Sequence, residues 1–163
     1  MKLKRQYKIV LTTAIFLAAL FITRNINAHC EVPCGIYNDS VRVTLILEHI
    51  STIEKSMNQI NTISAEEKPN YNQLVRWVMN KEEHAEKIQE IVSQYFLHQR
   101  IKITDHEKKE EYAKYQKQLE LLHKLSVYSM KTKQTTDLKI IDDLRATVKE
   151  FQEVYFHEHK HKH

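Results

Sequence analysis

The chain of 163 residues contains one glycine and two prolines. Tight turns between β-strands depend on these two residue types, so the chain has almost no material for hairpins. From residue 41 onward, apolar residues instead recur every three or four positions, which is the period of an amphipathic helix. Hydrophobic residues make up 42% and charged residues 28%, a balance typical of a folded domain rather than a disordered chain. The sequence therefore predicts an all-α fold.

Four apolar stripes predict four helices. The first helix spans about 41–63, and Pro69 interrupts the chain after it. The second spans about 70–99, the third begins after a cap at Thr104 or Asp105, and the fourth covers about 138–155. Because the polar links between them are short, we expect an antiparallel four-helix bundle over 41–156, with the stripes forming its core.

The first 28 residues have the three parts of a secretory signal. A basic start is followed by the apolar run Ile9–Ile22, which two threonines interrupt, and Ala28 ends a suitable cleavage site. We expect residues 1–28 to be removed, and the mature protein to be secreted or periplasmic without a stable membrane anchor. An uncleaved anchor is the alternative, although no apolar run reaches the roughly 20 residues of a membrane helix.

The net charge of +4 comes from this leader, which holds five basic residues and no acid. The remaining chain has 20 basic and 21 acidic residues, a balance of −1. Such a chain has no general attraction to nucleic acid or to anionic lipid. We therefore expect no nucleic-acid partner.

Removal of the leader would place two cysteines beside a new N-terminus, in the segment His-Cys-Glu-Val-Pro-Cys-Gly-Ile-Tyr. The α-amine and imidazole of His29 would lie next to the amide and thiol of Cys30, with the thiol of Cys34 close behind. Thiolates favour soft or borderline metals, and an amine, an amide and two thiolates close fused planar rings. Square-planar nitrogen and sulfur donors indicate Ni(II) or Cu(II) rather than Zn(II). A disulfide between Cys30 and Cys34 is the alternative.

The same nine residues resemble a known metal-binding segment. His-Cys-x-x-Pro-Cys-Gly-x-Tyr directly after a removable leader is similar to the nickel hook of nickel-type superoxide dismutases, and six identities are fixed in that pattern. Members of that family are four-helix bundles of similar size that assemble as hexamers. The resemblance implies a homo-oligomer, most simply a homohexamer, with one nickel ion per subunit as cofactor and superoxide as substrate.

The resemblance also implies roles for individual residues. His29 would give its α-amine and, in the oxidised state, its imidazole to the metal, while Cys30 would give its amide nitrogen and thiolate. Cys34 would give the second thiolate, and Gly35 would turn the chain toward the first helix. Tyr37 would stand beside the vacant face of the metal, where its hydroxyl would order water or substrate. The implied reaction converts superoxide to O₂ and H₂O₂ by Ni(III)/Ni(II) cycling.

Two helix positions depart from the family's pattern. In better-known members, a glutamate of the first helix and an arginine of the second orient the axial imidazole. Here the ungapped position for the glutamate is Leu45, and Glu48 is the nearest acid. The stretch 81–86 resembles that part of the second helix and puts His84 in place of the arginine. Glu48 and His84 are therefore candidate partners of His29, and an ordinary solvated helix face is the alternative.

Several other polar residues are expected to take little part in the chemistry. Asn38 and Asp39, where many members of the family have Asp-Pro, begin the first helix. His49 and three other scattered histidines are typical of surface or interface groups. The His-rich tail 157–163 alternates histidine with charged residues and could collect nickel, but a solvated chain end with incidental metal affinity is favoured.

These observations predict four parts: a signal peptide at 1–28, a nickel hook at 29–40, a bundle at 41–156 and the tail. The predicted function is that of a nickel-dependent superoxide dismutase, an antioxidant oxidoreductase. One alternative is a non-catalytic nickel- or copper-binding or trafficking protein. The other is a structural bundle with a Cys30–Cys34 disulfide.

Overall fold

A computed structural model of the chain describes Leu11 and residues 35–156. Within 35–156 the helices are α1 (Asp39–Ser64), α2 (Tyr71–Glu90), α3 (Lys109–Gln134) and α4 (Lys139–Phe156), and α2 continues as the π-helical segment Ile91–Arg100. This part contains no strand, so the predicted all-α class is confirmed. None of the helices described is both long enough and apolar enough to cross a membrane.

The helices form a bundle in which α1 packs against α2 and α4, and α3 packs against the same two neighbours. Links at 65–70, 101–108 and 135–138 return the chain between consecutive helices. Asp39 at the start of α1 accepts a hydrogen bond from Tyr155 near the end of α4. Glu54, later in α1, accepts one from Arg145, which lies earlier in α4, so these two helices are antiparallel. The predicted four-helix bundle is confirmed.

The core consists of apolar side chains from all four helices and the π-helical segment. Its largest fully buried members are Phe96, Phe151, Ile46, Ile50, Ile53, Met57, Ile88, Leu121, Leu122, Leu125, Ile141 and Leu144. The stripe predicted for the second helix is wrong at its start, because Val78 is exposed and Leu74 only partly buried. A sequence period defines which face points inward, but not how far neighbouring helices extend to cover that face.

The second predicted helix also changes its hydrogen bonding before it ends. The N–H of Ile101 donates to the carbonyl of Phe96, five residues back, at 2.9 Å. The backbone of Ile91–Arg100 as a whole follows this five-residue, π-helical pattern. Helical π segments are rare and are often found at functional sites.

A buried lysine connects α2 to the end of α3. Lys81 donates from Nζ to the carbonyls of Thr132, Lys133 and Thr135 at 2.7, 2.9 and 3.2 Å. These carbonyls lie at the C-terminal end of α3, where a positive charge is favourable. Lys81 therefore fixes the register of α2 against α3, one turn before His84.

Candidate active site

The predicted metal ligands His29, Cys30 and Cys34 lie outside the described residues, so their roles stay predictions. The description starts at Gly35, directly after the second cysteine. The φ of Gly35 is +78°, in the left-handed region that glycine adopts without steric cost. A Cβ added there would meet nothing within 4 Å, so the backbone conformation rather than a lack of space favours glycine.

Tyr37, the predicted catalytic residue, is held by its ring. The guanidinium carbon of Arg100 lies 4.3 Å from the ring centroid, within the range of a cation–π interaction. The ring of Tyr95 packs edge to face against Tyr37, with the centroids 6.0 Å apart. Tyr37 nevertheless remains 39% exposed. Its orientation is therefore fixed while solvent and small solutes reach the side chain.

Asp39 is the centre of a polar cluster two residues after Tyr37. Its Oδ1 accepts hydrogen bonds from the hydroxyl of Tyr95 at 2.5 Å and from Nε of Arg100 at 2.8 Å. Its Oδ2 accepts from Nη2 of Arg100 at 2.7 Å and from the hydroxyl of Tyr155 at 2.9 Å. We call Asp39, Tyr95, Arg100 and Tyr155 the Asp39 cluster. One carboxylate thus joins the start of α1, the π-helical segment and the end of α4.

The pKa values of the Asp39 cluster are shifted as expected for a satisfied ion pair. Burial opposes ionisation of Asp39, but the hydrogen bonds from Arg100, Tyr95 and Tyr155 outweigh it and lower the pKa of the carboxyl. The hydrogen bond to Asp39 raises the pKa of Arg100. Burial, followed by the hydrogen bond to Asp39, raises the pKa of Tyr95 to about 12 and also raises that of Tyr155. At neutral pH both phenols are therefore protonated donors.

The π-helical segment explains how two of its side chains reach one carboxylate. Tyr95 and Arg100 are five residues apart, and in an α-helix such residues point about 140° away from each other. The wider turn of a π-helix brings residues i and i+5 onto nearly the same face. Both side chains consequently bond to Oδ1 of Asp39.

A cavity of about 270 Å³ adjoins the Asp39 cluster and shares Arg100 and Tyr155 with it. The remaining lining residues are Lys102, Thr104, Glu111, Lys114, Tyr115 and Gln118. Three basic side chains and one acidic side chain give this cavity a positive potential, which attracts small anions.

His84, one of the two candidate partners of His29, contacts a histidine of α1. The Nδ1 atoms of His49 and His84 are 3.0 Å apart, and the rings meet edge to face. Burial and then the charges of the partner histidine and Lys87 lower the pKa of His49, and burial and Lys87 lower the pKa of His84. Glu48, the other candidate, is exposed. Any contact of Glu48 or His84 with His29 stays a prediction.

The Asp39 cluster could not be found from sequence period alone. The sequence predicts only that Asp39 begins the first helix, and Tyr95 and Tyr155 fit the apolar stripes of the second and fourth predicted helices. The structure shows that the hydroxyls of Tyr95 and Tyr155 and the guanidinium of Arg100 all donate to the carboxylate of Asp39. An acid placed directly after the motif, at the start of a helix, was the signal available in the sequence.

The donor chemistry of the hook segment suits nickel. Among residues 35–156, no group of three or more His, Cys, Asp or Glu side chains is placed to hold a metal ion. Both carboxylate oxygens of Asp39 are already occupied by donors. Residues 29–34, in contrast, offer nitrogen donors and two thiolates, which match a borderline to soft metal.

Comparison with known families agrees with the donor chemistry. The family model for nickel-containing superoxide dismutase matches residues 24–160, most of the chain. No match was found among the curated proteins or among the solved structures. The chain belongs to the family of nickel-containing superoxide dismutases, oxidoreductases whose cofactor is nickel and whose substrate is superoxide.

Proposed function

We propose that the mature enzyme begins at His29 and binds one nickel ion per subunit. The proposed ligands are the α-amine and imidazole of His29, the amide nitrogen and thiolate of Cys30, and the thiolate of Cys34. The observation that carries this proposal is the fixed position of Tyr37, three residues after Cys34, between Arg100 and the ring of Tyr95. A side chain so held at the end of the motif is suited to act on what binds there.

The bound nickel supplies one-electron cycling between Ni(III) and Ni(II), by which one superoxide is oxidised to O₂ and a second, with two protons, is reduced to H₂O₂. The amidate and thiolates of Cys30 and Cys34 are electron-rich donors that favour the higher oxidation state. Tyr37 donates a hydrogen bond from its hydroxyl to superoxide or to a water molecule, and thereby orients it. Because the ring of Tyr37 is clamped, this donor is in place before the substrate arrives.

The residues of the Asp39 cluster act as positioning residues. Arg100 contacts both the Asp39 carboxylate and the ring of Tyr37. The ion pair with Asp39 therefore holds the guanidinium of Arg100 in place, and the guanidinium holds the Tyr37 ring. Tyr155 ties the same carboxylate to α4. Lys102 and Lys114, which line the adjoining cavity, also favour the approach of an anionic substrate.

We further propose that the chain is exported and that residues 1–28 are removed on the way. The basic start, the apolar run and the small residue at position 28 support this. Cleavage after Ala28 is also what would free the α-amine of His29. Export and maturation would then be a single event, which places the active enzyme in a secreted or periplasmic location.

A homo-oligomer, most simply a hexamer as the family resemblance implies, is proposed from an apolar face of α2. Tyr71, Val75, Val78 and Met79 follow helical spacing and are 70%, 55%, 38% and 65% exposed. Large exposed apolar patches are typical of interaction sites. Light scattering of the double variant Val75→Glu and Met79→Glu should show a smaller assembly, whereas Ile103→Glu, at a separate exposed apolar residue, should not.

The central experiment is to express the full chain with its leader in an exporting host and to purify the mature protein. Intact mass under denaturing and then native conditions should show a chain starting at His29 with one nickel ion per subunit. Superoxide dismutation should accompany the nickel. Replacing Cys30 or Cys34 by serine should abolish activity, because each removes a thiolate.

A matched pair of insertions tests the α-amine. One alanine added before His29 removes the amine from its place and should eliminate most activity, whereas one alanine added after His163 should leave activity unchanged. Full activity with the N-terminal insertion would contradict the proposed ligand set. A metal-free chain two hydrogens lighter would instead support the disulfide.

A further inference from the structure

The contact between His49 and His84 is a feature that the proposed function does not use. The two histidines come from different helices, α1 and α2, and both are partly buried. Their Nδ1 atoms are 3.0 Å apart, so at most one proton lies between them. One imidazole donates and the other accepts, and both rings are neutral in this arrangement.

A pair of neutral imidazoles with converging nitrogens is also a bidentate metal ligand. Imidazole nitrogen suits nickel, copper and zinc. With metal–nitrogen bonds of about 2.1 Å, two ligands at a right angle are about 3.0 Å apart, and two at a tetrahedral angle are about 3.4 Å apart. The observed separation of 3.0 Å is that of the hydrogen bond, and a shift of a few tenths of an ångström or less takes the two nitrogens to either geometry.

The charges around the pair are of both signs. Lys87 opposes a positive charge on either ring, whereas the carboxylates of Glu48 and Glu83 act in the opposite sense on His49, and Glu83 also does so on His84. Lys87 is itself paired with Glu83 at 2.6 Å, which offsets part of its charge. No third His, Cys, Asp or Glu among the described residues completes a larger cluster. Water would therefore fill the remaining coordination positions.

We infer that His49 and His84 form a second binding site, in addition to the one proposed at the hook, for one Ni(II), Cu(II) or Zn(II) ion held between α1 and α2. The ring that donates its Nδ1 proton changes tautomer and carries that proton on Nε2 instead, so both rings stay neutral and both Nδ1 lone pairs become ligands. Because the ligands belong to two helices, binding stabilises the folded bundle. Two protein ligands hold the ion weakly enough for exchange with solution.

The test counts metal on the mature chain after its first nickel has been loaded. To remove the tail from the count, His157, His159, His161 and His163 are replaced by asparagine in every sample. Isothermal titration with Ni²⁺ then compares this parent with His49→Asn and with His84→Asn. Asparagine retains a polar atom near the position of Nδ1 but removes the imidazole. His123→Asn, at an exposed histidine of α3, is the control.

The parent and the control should bind one more Ni²⁺ than either pair variant, or bind it at least about tenfold more tightly. Added Ni²⁺ should also raise the thermal midpoint of the parent and the control, and not that of the pair variants. Equal binding and equal midpoints in all four proteins would overturn the inference, and so would a loss in one pair variant alone. The comparison depends on a difference between variants, so it stands even if the first nickel is not bound at the hook.

Discussion

Two of the polar contacts between α1 and the helix formed by α2 and its π-helical continuation are built on opposite principles. The Asp39 cluster joins a carboxylate to a guanidinium and two phenols, so each oxygen of Asp39 accepts two hydrogen bonds. The pair of His49 and His84, about 15 Å further along α1, has one contact between two neutral rings.

The Asp39 cluster and the histidine pair therefore differ in whether the contact can be exchanged for another. Removing one member of the Asp39 cluster leaves a charge with too few partners, so the cluster resists change and serves as an anchor. The histidine pair loses only one neutral hydrogen bond when its shared proton moves to Nε2 of the same ring, so a cation can take the place of that proton. The anchor lies beside Tyr37, where a fixed geometry is needed, and the exchangeable contact lies away from it.

The largest expected effect follows from neutralising the anchor with Asp39→Asn. Asparagine has the same shape, but it carries no negative charge to pair with Arg100. Its side-chain NH₂ group, itself a donor, would also face the donors that now bond to the carboxylate. We expect the free energy of unfolding to fall by about 3 kcal/mol, at the low end for a buried ion pair because Arg100 retains 24% side-chain exposure. Urea denaturation measures this. Glu66→Gln, at an exposed link residue, is the control, and an equally small change in both variants would rule out the anchor.

Acid should weaken the anchor in a defined pH range. The pKa of Asp39 is lowered in the folded protein from an ordinary value of 3.8, so its contribution is fully present above that value and is lost as the pH falls through the folded-state pKa. The difference in unfolding free energy between the parent and Asp39→Asn should be constant from pH 7 to 5. Below pH 4 it should shrink progressively as the carboxyl of Asp39 takes up a proton in the folded protein. A difference that persists unchanged at pH 3 would show that charge is not the cause.

Removing a single phenol should have a smaller effect. Tyr155→Phe deletes one neutral donor to a charged acceptor and preserves the packing, so we expect a loss of about 1 kcal/mol. Since Tyr37 is clamped by Arg100 and Tyr95, nickel content and kcat/KM should change less than twofold. Thermal or urea unfolding against the control Tyr112→Phe, at a partly exposed tyrosine of α3 outside the Asp39 cluster, measures the loss. A large fall in nickel content would instead connect α4 directly to the hook.

Much of the bundle could be predicted from the sequence, because helix period and link polarity are local properties. Pro69 and the apolar stripe of α1 gave its end within one residue of Ser64. The π-helical segment could not be predicted this way, since ten residues are too few for a change of period to show. Its effect, the joint approach of Tyr95 and Arg100 to Asp39, depends on hydrogen bonding rather than on residue type.

The candidate site likewise has one part that local sequence predicts and another that depends on contacts between distant residues. The motif that ends at Tyr37 is contiguous, so its chemistry could be predicted from residue types alone. The Asp39 cluster joins residues separated by up to 116 positions, and the hydroxyl of Tyr155 sits on a ring that fits an apolar stripe. Likewise, His49 and His84 are 35 positions apart and each looks like an ordinary surface histidine until two helices bring them together.

The histidine pair should show the smallest effect, in the metal-free protein and in a different pH range. The pKa values of both histidines are lowered in the folded state, so the unfolded chain takes up protons first as the pH falls below about 6.5. Stability should therefore decline between pH 7.5 and 5.5, by less than about 1 kcal/mol because solvent screens both rings. The double variant His49→Asn and His84→Asn should lack this decline, whereas His123→Asn should keep it. If the free energy of unfolding depends on pH in the same way in the double variant and the parent, the histidine pair contributes no more to the stability of the fold than an exposed histidine does. The histidine pair and the Asp39 cluster would then differ in function alone.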